Sequence, residues 1–253
     1  MERIDKVPGT DYDIIQNKGL FSYGVDAILL SSFAKAKGIT MDLGTGTGII
    51  PLRLIDKKGV LKIYGVEIQE EVASLAKRSV ILNSLQDKIE ILNMDLRNLK
   101  DVFPKACVDV VICNPPYMKS GGAIVNEKEN FALSRHELKG SIEDILKVSS
   151  YLLKPMGKLF MVHRPNRLVD VLYSMRESKI EPKFIRFIHP KKDKGTNLFL
   201  VEGHKDAKRD FKILDPLYIY KEDGSYTDEI YEIYGRLRWC NGWNIIYMSN
   251  PNW

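Results

Sequence analysis

The sequence is poor in the residues that build disulfide frameworks and metal sites. Its 253 residues include three cysteines, Cys107, Cys113 and Cys240, which are too few and too scattered for a disulfide framework. No C-x-x-C pair is present, and the four histidines lack the i, i+4 spacing of metal ligands. We therefore expect reduced thiols and no bound metal.

Long apolar runs are also missing. No segment approaches the roughly 18 consecutive apolar residues that a membrane span needs, and no basic stretch followed by an apolar one begins the chain. Internal repeats, low-complexity segments and Pro/Gly/Ser-rich linkers are absent too. Because 44% of the residues are hydrophobic and 28% are charged, we expect a soluble globular protein of the cytoplasm, with a monomer as the default state.

Short apolar runs alternate with amphipathic stretches over much of the chain, which indicates strands separated by helices. Such an order is typical of βαβ units, so we expect an α/β fold with a mainly parallel sheet covered by helices on both faces. One predicted helix begins at Ser141 as the N-cap, with Asp144 three residues later. The predicted strands are 39–43, 61–68, 88–96, 108–113 and 157–163, and the predicted helices are 70–85 and 141–153.

Two later runs, 183–190 and 196–204, are joined by a loop too short for a parallel crossover, so they predict an antiparallel hairpin that ends the sheet in reversed strands. The stretch from Lys183 to Arg209 holds eight Lys/Arg and three Asp/Glu, an excess of five that equals the net charge of +5 of the whole chain. Such a stretch is either an ordinary solvated surface or a phosphate-binding one. The lysines at the hairpin tip, Lys191, Lys192 and Lys194, are the candidates for phosphate contacts.

The segment "MDLGTGTG" ends the first predicted strand with Asp42 and places glycines at 44, 46 and 48. Glycines let a backbone approach a ligand closely, so the loop predicts nucleotide binding, although a tight turn without a ligand is the alternative. A dinucleotide loop has the spacing G-x-G-x-x-G, and Asp42 would repel its pyrophosphate. S-adenosylmethionine carries an amine and a sulfonium but no phosphate, and it fits this loop better.

Acids end the next two predicted strands. Glu67 is placed to accept hydrogen bonds from two ribose hydroxyls, and Asp95, in "NMDL", is placed to meet an adenine amino group. Taken alone, Glu67 is equally well explained as surface charge or as a cap of the following helix, and Asp95 as a helix N-cap. Because ligands of open α/β sheets bind beyond the carboxyl ends of the strands, three acids at three successive strand ends favour a common site.

The fourth predicted strand ends in "NPPY", from Asn114 to Tyr117. The prolines fix φ and remove N–H donors, so the chain leaves the sheet in a rigid turn with free carbonyl acceptors. The Asn114 side chain and the Pro115 carbonyl would accept the hydrogens of a planar amine, and the Tyr117 ring would stack on its base. This arrangement suits methyl transfer to an exocyclic NH2 group. A plain strand-ending turn is the alternative.

The order "FSYGVDAILLSSF", "DLGTGTG", "VEIQ", "NMDL", "NPPY" resembles the amino-group class of S-adenosylmethionine methyltransferases, which share a seven-stranded sheet with a reversed seventh strand. Further motifs, among them "LSRHE", "MVHRPNRL" and "HPKKDKGTNLFLVEG", resemble the bacterial tRNA1(Val) adenine-37 N6-methyltransferase family, from about Asp5 to Gly235. The resemblance implies that Asn114 to Tyr117 receive the adenine and that Tyr23 to Asp26 pack beside the methionine end of the cofactor. It also implies that the cofactor is held by Asp42, Gly44, Gly46, Glu67, Asp95 and Asn114.

Asp26 has a second explanation as the N-cap of the helix "AILLSSFA". Arg135 and His136, in the loop after Tyr117, are expected either to contact RNA or to gate the pocket. The organisation that we predict is one methyltransferase domain over residues 1–235, whose first 38 residues flank the cofactor. A tail of unknown role, 236–253, contains all three tryptophans, and we favour its docking on the domain over RNA stacking.

The predicted function is transfer of a methyl group to N6 of an unpaired adenine in tRNA, splayed out of its loop. Alternatives that share "NPPY" are methylation of N5 of a protein glutamine and methylation of other nucleic acid amines, adenine N6 or cytosine N4 of rRNA or DNA. The basic hairpin argues against the protein substrate. An NAD-dependent oxidoreductase does not fit the glycine spacing, and a cofactor-binding RNA module without catalysis stays open.

Overall fold

The computed structural model describes residues 1–17, 20, 23–115 and 141–235. In these ranges the helices are α1 (Val25–Phe33), α2 (Ile49–Leu54), α3 (Glu70–Leu82), α4 (Leu99–Val102), α5 (Ile142–Leu152), α6 (Leu168–Glu177) and α7 (Asp228–Ile233), with 3₁₀ turns at Leu96–Asn98 and Pro165–Arg167. The strands are β1 (Glu2–Lys6), β2 (Asp13–Asn17), β3 (Gly38–Leu43), β4 (Val60–Glu67), β5 (Ile89–Asn93), β6 (Val108–Cys113), β7 (Leu153–His163), β8 (Ile180–His189), β9 (Leu198–Lys205), β10 (Lys212–Ile213) and β11 (Leu217–Tyr218). None of these helices is long and apolar enough to cross a membrane.

Nine of the described strands form one sheet in the order β10-β8-β9-β7-β6-β3-β4-β5, with β11 also paired to β8. The strands from β3 to β7 run parallel to their neighbours within this group, and helices connect them, which confirms the predicted α/β class. The predicted helix start at Ser141 is also confirmed, since Ser141 Oγ accepts from Asp144 N while Asp144 Oδ2 accepts from Ser141 N.

The predicted hairpin is confirmed as β8 and β9, but only β9 is reversed. β9 lies between β7 and β8 and runs antiparallel to both, so β8 points the same way as β3 to β7. The short strands β10 and β11 are parallel to β8 and complete the outer edge of the sheet. The loop between β8 and β9 therefore lies at the edge where the parallel strands end, which we call the carboxyl edge.

Helices cover both faces of the sheet and create two apolar layers. On one face, buried residues of α1, α2, α3 and α7 pack against strand residues such as Ile63, Ile112 and Phe160. On the other face, residues of α4, α5 and α6 pack against strand residues such as Met41 and Val111. Side chains alternate across a strand, so Met41 and Leu43 face the second layer while Asp42 between them faces the first.

The N-terminal strands β1 and β2 form a separate antiparallel hairpin that packs on α3. The Ile15 N–H donates to Ser79 Oγ at 2.9 Å, and the Asp13 N–H donates to Asn83 Oδ1 at 2.9 Å. These bonds satisfy the edge of β2 with side chains of a helix rather than with another strand. They direct the chain along α3 towards the carboxyl edge, where α1 begins.

Arg53, in the last turn of α2, joins four segments of the chain. Its Nε donates to Ser31 Oγ in α1 at 2.7 Å, its Nη2 donates to the Ile233 carbonyl of α7 at 2.8 Å, and its Nη1 donates to the Pro8 carbonyl between β1 and β2. It makes no ion pair with a carboxylate in the part of the chain that the structure describes, and burial lowers its pKa. The helix that follows the glycine loop is therefore tied to both ends of the described chain.

We expect Arg53→Gln to lower the free energy of unfolding by about 2 to 3 kcal/mol, because the Pro8 and Ile233 carbonyls lose their charged donor. Arg78→Gln is the matched control: Arg78 donates two hydrogen bonds to Glu2 on the exposed surface, so its loss should hardly change the unfolding midpoint. Urea denaturation measures both variants. Equal shifts would show that Arg53 contributes no more than a surface ion pair.

Candidate active site

The ends of four neighbouring strands gather most of the described site residues that the sequence predicts. At the carboxyl edge, Leu43 of β3 pairs with Val66 of β4 on one side and with Cys113 of β6 on the other, and Glu67 pairs with Asn93 of β5. The residues that follow these pairs are the glycine loop, the turn into α3, the segment before the 3₁₀ turn, and the start of "NPPY". They line one edge because all four strands are parallel.

The glycine loop folds over the end of β4. The Gly44 and Thr45 N–H groups both donate to the Val66 carbonyl at 2.9 Å, and the Gly46 N–H donates to Glu67 Oε2 at 3.1 Å. Gly44 and Gly46 have φ of 74° and 57°, in the left-handed region that favours glycine. A Cβ on Gly44 would meet nothing within 4 Å, so the backbone conformation requires this glycine and the loop leaves open space beside it.

Asp42 is completely buried at the end of β3, and neither of its carboxylate oxygens has a hydrogen-bond partner among the described residues. Burial raises the pKa of Asp42 to about 7; the nearby Thr45 hydroxyl opposes this rise without reaching hydrogen-bonding geometry, and the Glu67 carboxylate adds to it. A buried carboxylate without donors is costly, so a ligand that brings a cation or N–H groups would stabilise it.

Glu67 is neither a surface charge nor the N-cap of α3, so both alternative explanations from the sequence are wrong. Its side chain is buried, with Oε2 accepting from the Gly46 N–H and Oε1 accepting from the Gln69 N–H at 2.9 Å. The N-cap of α3 is Gln69. A carboxylate can accept about four hydrogen bonds, and two are used here, which leaves capacity for ligand hydroxyls.

Asp95 caps the 3₁₀ turn after β5, as the alternative explanation proposed. Its Oδ1 accepts from the Arg97 N–H at 2.9 Å, and the Arg97 guanidinium hydrogen-bonds to the carboxylate and lowers its pKa. β5 ends at Asn93, three residues before the predicted end, because Asn93 Nδ2 donates across to the Glu67 carbonyl at 2.9 Å and the chain then turns. Asn93 was not among the site residues that the sequence predicts. The contact of Asp95 with adenine stays a prediction.

β6 ends where predicted, and Asn114 directly follows Cys113 at the level of Gly44 on the adjacent strand. Asn114 is half-buried and Pro115 is buried. Burial raises the pKa of the Cys113 thiol well above its usual value, with Asp42 adding to the rise, so this cysteine is not a thiolate nucleophile. The predicted roles of Tyr117, Arg135 and His136 fall on residues outside the described ranges, as does the tail 236–253.

Tyr23 and Asp26 lie at the start of α1. The Tyr23 N–H donates to Gln16 Oε1 at 3.2 Å, and burial, followed by the Asp5 charge, raises the pKa of its phenol. Asp26 is not the N-cap of α1: Gly24 has that position, and Asp26 lies in the first turn and accepts from the Ala27 N–H at 3.0 Å. The N-cap explanation is therefore wrong, and the cofactor contact of both residues stays a prediction.

A buried histidine at the same edge was not among the predicted site residues. His163 ends β7, the strand beside β6, and its Nδ1 accepts from the Arg164 N–H at 2.8 Å. Burial lowers the pKa of His163 to about 4, so the ring is neutral and its proton is on Nε2. The only sequence signal was its place at a strand end, in "MVHRPNRL".

The basic stretch from the sequence is divided between the two edges of the sheet. The tip lysines precede β9 and lie at the carboxyl edge, where Lys192 and Lys194 are exposed and Lys191 Nζ donates to the Glu222 carbonyl at 3.5 Å. Residues 206–209 follow β9 and lie at the opposite, amino edge, because β9 runs antiparallel. The excess of five charges is therefore not a single patch.

The described site fits a cationic nucleoside ligand better than a metal. Among buried side-chain atoms of the described ranges, those without hydrogen-bond partners are both Asp42 oxygens, the Thr45 and Thr47 hydroxyls, and one oxygen of the distant Glu202. Four of these five acceptors thus surround the glycine loop and suit the amine and sulfonium of S-adenosylmethionine. The same ranges hold no cluster of three His, Cys, Asp or Glu that could ligate a metal, and the expected absence of a metal stays a prediction.

A family model for the methyltransferase small domain matches residues 11–178. The chain belongs to this methyltransferase family. Relatives include the tRNA1(Val) (adenine(37)-N6)-methyltransferase of Porphyromonas gingivalis, 29% identical over 63% of this chain and 65% of that protein, and the protein of the same name from Parabacteroides distasonis, 24% identical over 76% and 80%. The match thus covers less than two thirds of the length of the first of these relatives. The resemblance predicted from the motifs is confirmed.

The fold has counterparts among solved structures. A predicted O-methyltransferase from Agrobacterium tumefaciens superposes on 85% of this chain and 98% of its own, with a TM-score of 0.67 and 21% identity. At that identity the likeness concerns the fold alone, which is the S-adenosylmethionine methyltransferase fold expected from the sequence.

We expect Asp42→Asn to stabilise the ligand-free protein at high pH. The pKa of Asp42 is about 7 in the folded protein, against about 3.9 in an unfolded chain, so its favourable contribution is full below about pH 4 and is lost as the pH rises through 7. Asparagine avoids this loss, which is at most about 4 kcal/mol at 1.36 kcal/mol per unit of pKa. The melting temperature should therefore rise more at pH 8 than at pH 5.

Differential scanning calorimetry from pH 5 to pH 8 measures the effect, with Asp101→Asn as the control because Asp101 is exposed on α4. With S-adenosylmethionine added, the wild type should have the higher melting temperature, because only the wild type has the Asp42 carboxylate to bind the sulfonium and amine of the cofactor. A pH-independent difference between Asp42→Asn and the wild type would contradict the assignment.

Proposed function

We propose that the protein transfers the methyl group of S-adenosylmethionine to N6 of an unpaired adenine in tRNA, adenine 37 of tRNA1(Val). The observation that carries the proposal is the juxtaposition of unpartnered buried acceptors at Asp42, Thr45 and Thr47 with the turn at Asn114 and Pro115, on adjacent strands. The buried acceptors suit a cationic methyl donor, and the turn at Asn114 and Pro115 suits a planar amine. The proposal includes a location in the cytoplasm, as the compartment of the substrate.

The residues that would hold the cofactor belong to three strands. Gly44 leaves open space beside the ligand, and the Gly46 N–H is bonded to Glu67. Asp42 would face the positive charge of the cofactor, and Glu67 would accept from the ribose hydroxyls with the lone pairs that Gly46 and Gln69 do not use. Asp95 already accepts from three N–H donors of Arg97, and it would accept from the adenine amino group with its remaining lone pair. Tyr23, which is bonded to Gln16 of β2, and Asp26 would flank the methionine end. When bound, S-adenosylmethionine supplies an electrophilic methyl group.

The residues that follow β6, Asn114 and Pro115, would activate the substrate amine. An exocyclic amine is a weak nucleophile because its lone pair is delocalised into the ring. The Asn114 side-chain oxygen and the Pro115 carbonyl would accept its two hydrogens and favour a tetrahedral nitrogen, whose lone pair then points at the methyl group. Tyr117 would stack on the base. The N6 nitrogen forms a bond to the methyl carbon as the bond between that carbon and sulfur breaks, which leaves S-adenosylhomocysteine, and N6 then releases one proton to water.

Two observations support tRNA as the substrate. The hairpin tip with Lys191, Lys192 and Lys194 lies at the same edge as Asn114, because β8 runs parallel to β6. Lysines there can meet phosphates while an adjacent base is turned into the site. The second is the similarity to the relatives from P. gingivalis and P. distasonis, which are named tRNA1(Val) (adenine(37)-N6)-methyltransferases. Arg135 and His136 would either make further contacts with the RNA or gate the pocket.

The decisive experiment is incubation with labelled S-adenosylmethionine and unmodified tRNA, followed by nucleoside analysis. N6-methyladenosine at position 37 of a valine tRNA is the expected product. Label in a protein fraction at glutamine, or in rRNA or DNA, would replace the proposal by one of its alternatives. Cofactor and tRNA binding without any transfer would leave a binding module.

We expect Asn114→Ala to lower the rate of methyl transfer at least about 100-fold, as is typical when one polar group that acts at the transition state is removed. Cofactor binding should remain measurable by isothermal titration calorimetry. Asn114→Asp keeps an acceptor oxygen and should retain more activity than the alanine variant. Equal loss of transfer and of cofactor binding would instead make Asn114 a structural residue.

Replacing Lys191, Lys192 and Lys194 by alanine should weaken tRNA binding and reduce its dependence on salt. Each phosphate contact contributes roughly 0.9 to the slope of log affinity against log salt, so losing three reduces the slope by up to about 3. Lys192 should matter most, because Lys191 and Lys194 already lie near Glu222 and Asp193. Filter binding over a salt series measures the slope, and an unchanged affinity would remove these lysines from the interface.

A further inference from the structure

A second basic segment lies on the outer edge of the sheet, away from the hairpin tip. Residues 205–213, which run from the last residue of β9 through β10, hold four Lys/Arg and two Asp/Glu, an excess of two. They form the edge that β10 completes. We call Lys208, Arg209, Phe211 and Lys212 the edge segment.

The edge segment runs beside the lower half of β8. The Asp206 N–H donates to the Lys179 carbonyl at 2.9 Å, Lys183 Nζ donates to the Lys208 carbonyl at 3.0 Å, and Lys212 pairs with Phe184 in a parallel register. At about 3.3 Å per residue, the segment therefore lies roughly 15 to 30 Å below the upper end of β8. It cannot contact the same nucleotide as the hairpin tip.

The acids near the edge segment are already paired with other lysines. Asp210 lies 3.8 Å from Lys183 Nζ and Asp206 lies 3.2 Å from Lys205 Nζ, and both of these lysines are largely buried, with side chains 12% and 10% exposed. The charges of the edge segment itself are fully available: Lys208, Arg209 and Lys212 are exposed and make no ion pair among the residues that the structure describes. The local charge is therefore positive and faces solvent.

Apolar side chains are exposed between these charges. Phe211 is 41% exposed and Ile213 is 68% exposed. Lysines on an edge strand commonly prevent pairing with another sheet, but an exposed Phe and Ile work against that protection. A cluster of Lys and Arg on one edge is the electrostatic footprint of a nucleic acid-binding surface, and an exposed aromatic ring within it can add an apolar contact.

We propose that the edge segment binds the sugar-phosphate backbone of a double-stranded stem of the same RNA whose unpaired adenine is methylated at Asn114. The inference rests on the proposed function, and it adds the class of structure that the substrate must have beyond its loop. Paired RNA is recognised by its shape and its phosphates rather than by base edges, which suits Lys208, Arg209 and Lys212. The separation along β8 suits a stem that leads away from the loop at the carboxyl edge.

The test compares two double charge reversals, Lys208→Glu/Arg209→Glu and the control Lys57→Glu/Lys58→Glu. The control lysines are exposed at the start of β4, also at the amino edge, and five strands or about 24 Å away from β8. Each variant is titrated with unmodified full-length tRNA and with a single-stranded oligonucleotide of the loop alone, over a salt series. Phe211→Ala is titrated with the same two RNAs.

The edge variant should bind full-length tRNA about tenfold or more weakly, and its salt slope should fall by about 2, since two phosphate contacts are lost. Its affinity for the loop oligonucleotide and for S-adenosylmethionine should not change, and in methyl transfer KM for tRNA should rise while kcat stays constant. Phe211→Ala should weaken tRNA binding without changing the slope. The control variant should bind both RNAs like the wild type.

Three results would overturn the inference. Undiminished tRNA binding by the edge variant would leave the segment to another partner, such as a protein. If the edge variant lost affinity equally for both RNAs, the edge segment would contact the loop rather than a stem. If the control variant lost as much affinity for tRNA as the edge variant, the change of net charge would explain the effect. If the segment binds tRNA as expected but no methyl group is transferred, the surface stands and the proposed function fails.

Discussion

The parallel register of β3, β4, β5 and β6 is the constraint on which the site depends. It delivers the residues after four strands to one edge, and it also decides which side chains face the loop. Asp42 faces the glycine loop because Met41 and Leu43 face the opposite layer. A slip of one residue would exchange the carboxylate with a core residue, so packing of Met41 and Leu43 holds Asp42 in position. The apolar core thus specifies the polar site.

The two carboxylates of the site are treated differently by the fold. Glu67 accepts two backbone N–H groups and thereby closes the glycine loop over β4, whereas Asp42 has no donor within the described chain. Glu67 therefore fixes one side of the loop, whereas the Asp42 carboxylate on the other side has no hydrogen-bond donor among the described residues. A cationic ligand would relieve the cost of the buried Asp42 charge, so binding and stability are coupled at this residue.

The sequence was most informative where strands end. The glycine spacing, Asp42, Glu67 and Asn114 all lie at the predicted edge, because apolar runs and glycines determine strand ends locally. Side-chain partners were not predictable: the bond of Glu67 to Gly46 depends on how the loop crosses β4, and Arg53 joins segments far apart in the chain. Asp26 was misplaced because Gly24 supplied the extended backbone of an N-cap two residues earlier than the pattern suggested.

The reversal of β9 converts a local run of basic residues into an extended surface. Had the chain entered β9 in parallel through a crossover, a helix would lie between β8 and β9, and the residues after β9 would reach the carboxyl edge. Instead the loop before β9 lies at the carboxyl edge, and the segment after β9 begins at the amino edge. This segment then runs parallel to β8 as β10. Charges close in sequence are thus spread along one side of the sheet. A long polyanion such as RNA can contact both the edge segment and the hairpin tip, whereas a small substrate at the carboxyl edge could reach only the hairpin tip.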